Sequence, residues 1–414
     1  MSCPVYLFSV GESMQNSKAS EPQSWSPTAH HIVRRNEKGM LPNLTSLNGI
    51  RFIAAISVFL FHSTLGPILA PFSDPQVSHW YYVIFSKSGW VSVSMFFILS
   101  GFVMGWSSRP VDHPLRFYKR RFAKIYPVNV VVMVIVVATG VISFRRPDIW
   151  LPNLFLVQSW IPRAENYIGG NTPSWFLCAI ILFYIIFPFV FRWVKALPAD
   201  KLWTTIFICY LGMIISQVII FYATRHETPL PGWPFKVGEI EWWLSYTFPL
   251  TRVFEFVIGL VLSRIILEGY FIRISTVTST LLVAASYIID VNLPFQFSYN
   301  LITLYPLVFL LGSLTVGDIR GKKSFLNLPV MQWLGNISFG FYMIHFTILI
   351  LLKRWAGGEK FNLPDGILIL VFAAVVSVLL GWILYKFVEI PCGNYLNSRS
   401  GSKKQTANAQ QARE

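Results

Sequence analysis

An arginine and a histidine are the only ionisable residues of an otherwise apolar segment, RFIAAISVFLFH, which runs from Arg51 to His62. Eleven helical steps of ~100° make about three full turns, so both side chains share one helix face, ~16 Å apart along the axis. A histidine in a wet cavity can accept a proton near neutral pH, as a general base or a nucleophile does. The alternative is a boundary arginine and an unrelated, hydrogen-bonded core histidine.

A second group of candidates lies in the basic run RFYKRRFAKIYP, residues 116–127. Arg121 and Lys124 are three residues apart and therefore share a helix face, and Arg120 adjoins them. Such a face could bind the phosphates of a nucleotide-like donor. The alternative is a set of positive charges that anchors a loop at the membrane surface.

Two further groups place polar side chains in apolar surroundings. Arg252 and Glu255 stand three residues apart in FPLTRVFEFVIGL, where they could be a self-neutralising ion pair or could shape an acceptor site. Ser338, Tyr342 and His345 share one helix face in LGNISFGFYMIHFTIL, where they could form one interhelical hydrogen-bond network or line an acceptor site, and we favour the structural role.

The remaining candidates for chemistry are one acidic residue and the possible metal ligands. Glu389 stands near the end of the last apolar segment, where we expect it to cap or to pair. The sequence has no His/Asp/Glu cluster with ligand spacing, and its four cysteines lie far apart, so we predict no metal site.

The elements that must position these residues are membrane helices. The 414-residue chain is 54% hydrophobic and only 13% charged, about half the charge of a soluble domain. Ten apolar segments are each close to the ~20 residues that cross a bilayer. They cover residues 50–69, 88–106, 126–143, 174–191, 203–222, 246–263, 274–290, 299–316, 333–351 and 366–387. The sequence therefore predicts an all-α polytopic membrane protein with about ten transmembrane helices.

The net charge of +15 is a topology signal. Most of the 34 basic residues fall in the segments that are inside if the N-terminus is inside, which places both termini in the cytoplasm. This distribution argues against a nucleic-acid partner. Residues 1–45 are polar and predicted to be disordered, residues 46–391 form one transmembrane domain, and residues 392–414 read as a disordered cytoplasmic tail. Residues 144–173 predict a re-entrant or capping element that faces outside.

An ordered set of motifs over residues 44–391 resembles the acyltransferase-3 family of integral membrane acyltransferases. The segment LNGIRFIAAISVFLFH matches the family pattern LxGxRxxAAxxVxxxH. The other similar segments are SMFFILSGFVMG, FYKRRFAKIYP, RVFEFVIG and ISFGFYMIH.

The resemblance implies transfer of an acyl group, commonly acetyl, from cytoplasmic acyl-CoA to a hydroxyl group. The acceptor would be a saccharide, lipid or natural product outside the cytoplasm or at the cell membrane, in which the enzyme is a multi-pass protein. Arg51 and His62 match the family's paired essential positions, and Arg121 and Lys124 match its cytoplasmic arginine pair. Acyl-CoA is then a co-substrate, and no other cofactor is implied.

Two positions depart from the family pattern. Lys124 stands where arginine is frequent, so the charge is kept but bidentate phosphate binding is lost. Ile180 stands where glutamate is usual, so no acidic role carries over there.

The rival class is a transporter or flippase for a small molecule or lipid-linked saccharide. A transporter site is typically marked by short spans, interrupted by glycine or proline, at matching positions in two halves of the chain. The sequence does not show such paired spans, which argues against this class.

Overall fold

The computed structural model describes residues 33, 41–108, 114–231, 236–293 and 301–395. Over these residues the chain is helical and has no β-strand, apart from an isolated parallel bridge between Phe72 and Phe361. The predicted all-α class is confirmed. The two predicted disordered ends lie almost wholly outside the described residues.

Fourteen α-helices follow one another in the described part of the chain. They are α1 Thr45–Thr64, α2 Pro75–Phe85, α3 Ser88–Ser107, α4 Pro114–Ala138, α5 Pro147–Leu154, α6 Ala164–Tyr167, α7 Trp175–Ala196, α8 Leu202–Thr224, α9 Glu239–Trp242, α10 Val253–Leu267, α11 Thr276–Val291, α12 Leu304–Ile319, α13 Pro329–Trp355 and α14 Leu363–Leu384. Local sequence sets several boundaries. Asp74 caps α2 by accepting hydrogen bonds from the backbone N–H groups of Gln76 and Val77, at 2.7 and 3.0 Å. Ser275 and Asn362 cap α11 and α14 in the same way.

Seven stretches of the described residues are long and apolar enough to cross a membrane, and they coincide with seven of the ten predicted spans. The other three predicted spans correspond to α10, α11 and α12, which have 15, 16 and 16 residues. At ~1.5 Å per residue these helices are ~23–24 Å long, shorter than the ~30 Å hydrocarbon core. The count of ten spans and the side of the termini therefore stay predictions.

Helices α3 and α10 cross with their backbones in contact at the centre of the bundle. A Cβ atom on Gly101 would lie 2.0 Å from the carbonyl oxygen of Phe256, and one on Gly259 would lie 1.8 Å from that of Ile98. No side chain fits at such distances, so the crossing requires glycine on both helices. This crossing fixes α3, one wall of the site described below.

The position of α1 is set by polar contacts where it begins. We call that end of the bundle the proximal end and the opposite end the distal end. Asp318 of α12 accepts hydrogen bonds from the backbone N–H and the Oγ of Ser46, at 2.8 and 2.7 Å. The Nε2 of Gln332 donates to the carbonyl oxygen of Thr45 at 2.9 Å. Since Arg51 lies little more than one turn further, these bonds also place its side chain.

Residues 144–174, which we call the cap segment, enter the protein interior from the distal end. The amide of Asn129, midway along α4, donates to the carbonyl oxygen of Asn153 at 3.2 Å. The amide of Asn171 donates to the carbonyl oxygen of Met343 in α13 at 3.0 Å. All three asparagines are fully buried. Irregular backbone at membrane depth must be buried in protein, and these bonds are how the cap segment meets that requirement.

Candidate active site

Five helices, α1, α3, α4, α7 and α13, surround a cavity of about 150 Å³. Five candidate functional residues from the sequence line it, although they are up to 291 positions apart in the chain. They are Arg51, Arg121, Lys124, Ser338 and Tyr342. The cavity is therefore the place where the proposed donor-binding groups meet.

The proximal end of the cavity is basic. The guanidinium of Arg121 lies over the rings of Phe117 and Tyr184, at 5.4 and 5.8 Å from their centroids, and Tyr184 itself lines the cavity. These aromatic faces hold the Arg121 charge beside the cavity. Arg120 differs: it is exposed on α4 and is not among the lining residues.

Glu389 adds one negative charge at this end. It lies in a π-helical turn, residues 385–389, that follows α14, and Lys124 and Arg51 are its charged neighbours. Glu389 thus lies among cations, and the expected roles of pairing or capping stay predictions. Three cations and one carboxylate leave this cluster with a net charge of +2, which favours an anionic ligand.

Three aromatic rings close the distal end of the cavity. The ring centroids of Phe96, Phe176 and Tyr342 lie 5.6–6.0 Å from one another, and each pair meets edge to face. We call these three residues the aromatic triad. The Tyr342 hydroxyl donates to the carbonyl oxygen of Pro173 in the cap segment at 3.1 Å. The aromatic triad therefore stands between the cavity and the distal end of the bundle.

A pair of histidines lies on the far side of the aromatic triad. His345 is 5.8 Å from Tyr342 between ring centroids, and its Nε2 is 2.9 Å from the Nδ1 of His62. The Nδ1 of His345 is 3.3 Å from the carbonyl oxygen of Phe341. A carbonyl only accepts, so this Nδ1 carries the hydrogen, and the Nε2 of a neutral His345 must accept from His62. In this arrangement, the Nε2 of His62 is the one nitrogen of the two histidines with a free lone pair.

The structure separates the two ends of the opening segment of our sequence analysis. Arg51 lines the cavity, whereas His62 and His345 do not, and the ring of Tyr342 lies between the cavity and His345. The same structure corrects the single hydrogen-bond network expected of Ser338, Tyr342 and His345. Ser338 bonds the carbonyl oxygen of Gly335 in its own helix at 2.7 Å, while the other two bond the cap segment and His62. Residues on one face of α13 therefore contact different neighbouring segments.

Arg252 and Glu255 form a buried ion pair away from the cavity. The Nε of Arg252 is 2.9 Å from Oε2 of Glu255, and the side chains are 2% and 0% exposed. The Oγ of Ser94 also donates to this carboxylate. The guanidinium lies over Phe97 and Tyr246, at 5.1 and 5.4 Å. This geometry favours the self-neutralising pair, and the acceptor-site role stays a prediction.

Sequence reasoning identified Tyr342 but missed the other two members of the aromatic triad. Phe96 and Phe176 sit inside apolar runs where one aromatic residue looks like another, although Phe96 belongs to the family segment SMFFILSGFVMG. Among the described residues, groups of three His, Cys, Asp or Glu side chains that could hold a metal ion are absent.

Comparison with known proteins decides the class. A family profile described as an acyltransferase domain matches residues 44–386. The chain belongs to the acyltransferase-3 family. The predicted enzyme class is thereby confirmed against the transporter or flippase, and the chain is a membrane acyltransferase. The acyltransferase-3 motif positions Arg51, Arg121 and Lys124 surround one cavity, and the departure at Ile180 makes its wall apolar.

Relatives of this acyltransferase-3 chain come from bacteria and an animal. Acyltransferase MdmB of Streptomyces mycarofaciens is 34% identical over 377 residues, 86% of this chain and 93% of that protein. Peptidoglycan O-acetyltransferase OatA of Listeria monocytogenes is 22% identical over 405 residues, 90% of this chain and 59% of that protein. The Regulator of hypoxia-inducible factor 1 of Caenorhabditis elegans is 22% identical over 423 residues, 87% and 83% respectively. No solved structure matches the chain.

Proposed function

We propose that this enzyme moves a short acyl group, acetyl in the first instance, from cytoplasmic acyl-CoA to a hydroxyl of an acceptor that approaches from the distal end. In this proposal residues 46–391 are one catalytic domain of ten spans in the cell membrane, with both termini in the cytoplasm. The observation that carries it is the arrangement along α1. Arg51 lies at the basic end of the cavity, and His62 lies ~16 Å further along the same helix, beside His345.

The basic end of the cavity would hold the phosphates of the donor. Arg51, Arg121 and Lys124 converge there from two helices, and charge-assisted hydrogen bonds to phosphate are among the stronger polar contacts. With CoA's phosphates at the proximal end, its acyl thioester extends into the apolar part of the cavity towards the aromatic triad.

The histidine pair supplies the base. The Nε2 of His62 takes the proton of the acceptor hydroxyl as the hydroxyl oxygen attacks the thioester carbonyl carbon. The new C–O bond forms, the C–S bond breaks, and the CoA thiolate leaves and recovers the proton from His62. His345 holds His62 in the tautomer that leaves Nε2 free, so His345 is a positioning residue. The covalent alternative, an acyl group carried by His62, uses the same nitrogen.

The acceptor is a hydroxyl-bearing saccharide, lipid or natural product. A saccharide is supported by the name of one relative, a peptidoglycan O-acetyltransferase. Comparing cell-surface glycans and lipids by mass spectrometry, with and without the gene, would identify the acylated product.

Substitution of His62 by glutamine tests the chemistry, because glutamine can hydrogen-bond but cannot take up a proton near neutral pH. In a deletion strain complemented at matched membrane levels, we expect His62→Gln to lower acyl transfer by ~10²–10⁴-fold. Binding of CoA, measured by thermal shift, should stay as in the wild type. The matched control is His79→Gln, which changes an exposed histidine of α2 outside the site.

Two outcomes would contradict parts of this proposal. Substantial acylation by His62→Gln would remove the proton-transfer role. Recovery of protein-bound acyl groups at His62, after incubation with acyl-CoA and no acceptor, would show that His62 carries the acyl group covalently and would refute its role as the general base.

A further inference from the structure

We propose that the aromatic triad, Phe96, Phe176 and Tyr342, is the constriction that selects the transferred acyl group for small size and lack of charge. This inference rests on the proposed function, since it concerns the path of the acyl group from donor to acceptor. It assigns a specificity role to residues that neither bind the phosphates nor act as the base.

The position of the aromatic triad carries the first step. The cavity begins at Arg121 and Lys124 and ends at the aromatic triad, and His345 lies one helical turn beyond Tyr342, ~4.5 Å further along α13. A thioester in the cavity is therefore separated from the His62–His345 pair by the ring of Tyr342, which lines the cavity and contacts His345. The acyl carbonyl has to pass between the rings of the aromatic triad to meet an acceptor activated by His62.

The packing around the aromatic triad says which rings are fixed. Phe176 stacks on Phe97 with 4.7 Å between ring centroids, and Tyr342 is tied to Pro173 through its hydroxyl. Phe96 is half-buried, and within the aromatic triad it touches the other two rings only edge to face. Passage of the acyl group therefore requires Phe96, the least restrained ring, to move away from two anchored rings, and aromatic side chains set the width of the opening.

The walls below the aromatic triad determine which acyl groups fit. Leu99, Leu177 and Ile180 offer hydrocarbon there, and the hydroxyl groups of Ser100 and Ser338 add neutral polar atoms to the lining. A carboxylate on the acyl group, as in a succinyl donor, would be desolvated without a cationic partner, because the donor's phosphates occupy Arg51, Arg121 and Lys124 in the proposed function, and this desolvation is costly. Ile180 lies one helical turn from Phe176 and places an alkyl group on the wall next to the aromatic triad. The path accepts short, uncharged acyl groups.

The experiment is a donor series, acetyl-, propionyl-, butyryl-, hexanoyl- and succinyl-CoA, offered to membranes that contain the full-length enzyme and its acceptor. Two variants, Phe96→Ala and Phe176→Ala, widen the constriction, and Phe176→Trp narrows it. The matched control is Phe183→Ala on the same helix as Phe176. Phe183 is fully buried against Phe97 and Phe256 but does not line the cavity.

We expect the wild type to use acetyl and propionyl donors and to reject succinyl. One methylene in an apolar pocket changes discrimination by ~10–200-fold, so each widening variant should raise the butyryl-to-acetyl rate ratio at least tenfold. Phe176→Trp should lower the propionyl-to-acetyl ratio. The affinity for CoA should not change in any of them, because the phosphate end is untouched.

The results separate this inference from the proposed function. A wild type that transfers no acyl group from any CoA donor refutes the proposed function. A wild type that transfers, with rate ratios that move no more in the triad variants than in Phe183→Ala, overturns the constriction alone. If either alanine variant fails to reach the membrane, Phe96→Leu and Phe176→Leu decide in its place, with the same direction of change expected.

Discussion

Removing one partner of the buried pair should destabilise this enzyme far more than removing both. In Glu255→Leu the guanidinium of Arg252 stays buried, at 2% exposure, without the carboxylate that lies 2.9 Å away in the wild type. Leaving such a charge uncompensated costs ~3–5 kcal/mol of unfolding free energy. The contacts of Arg252 with Phe97 and Tyr246 persist in the variant, so we expect a loss near the lower end, ~3 kcal/mol.

The double variant Arg252→Met/Glu255→Leu removes both charges and keeps apolar volume. Replacement of a buried ion pair by apolar residues is often neutral or stabilising, so we expect its unfolding free energy within ~1 kcal/mol of the wild type. The measurement is reversible unfolding in mixed micelles, followed by fluorescence of the 15 tryptophans. The control is Glu268→Leu, which breaks the partly exposed Arg264–Glu268 pair and should cost less than ~1 kcal/mol.

Two results would refute this reasoning. One is a Glu255→Leu variant that loses no more stability than Glu268→Leu. The other is a double variant whose loss of unfolding free energy equals the sum of the losses measured for Arg252→Met and Glu255→Leu alone. A double variant that is stable but transfers no acyl group would favour the role of Arg252 and Glu255 in shaping an acceptor site.

The remaining predictions concern the donor site and the topology. Arg121→Ala and Lys124→Ala should each weaken CoA binding ~10–100-fold, because each removes a charge-assisted contact of ~1.5–3 kcal/mol, and Lys124→Arg should bind as well or better. Isothermal titration checks this, with exposed Arg120→Ala as the control, and unchanged affinity in the double alanine variant would leave these residues as topology anchors. A cysteine at Ser324 should react with an impermeant reagent only after permeabilisation, whereas one at Gly358, beyond the other end of α13, should react on intact cells. The reverse pattern would invert the orientation and remove the cytoplasmic donor site.

Spacing along one helix was predictable from the sequence. Arg51 and His62 were expected on one face of α1, and Arg121 and Lys124 on one face of α4, because helical periodicity fixes such relations within a single element. The structure places the first pair at the two sides of the aromatic triad and the second pair in one cavity.

Contacts between distant helices were not predictable. The partner of His62 is 283 residues away, and Ser338, Tyr342 and His345 share a face but meet different neighbours. Tertiary packing decides these contacts, and the hydrophobic pattern of one helix does not indicate which other helix packs against it. The apolar segment predicted at residues 246–263 begins before α10 because apolar residues continue through a π-helical stretch, residues 243–247, and a 3₁₀ stretch, residues 249–252.

The cap segment ties the order of biosynthesis to the completion of the catalytic site. Asn171 bonds the carbonyl oxygen of Met343, which is 172 residues later in the chain. At ~5–20 residues per second, Met343 is synthesised roughly 10–35 s after Asn171. The nascent cap segment has to wait that long for the helix that buries its irregular backbone. The same helix brings His345 to His62, so a ribosome that stops before α13 leaves a polypeptide with Arg51, Arg121 and Lys124 but without the histidine pair.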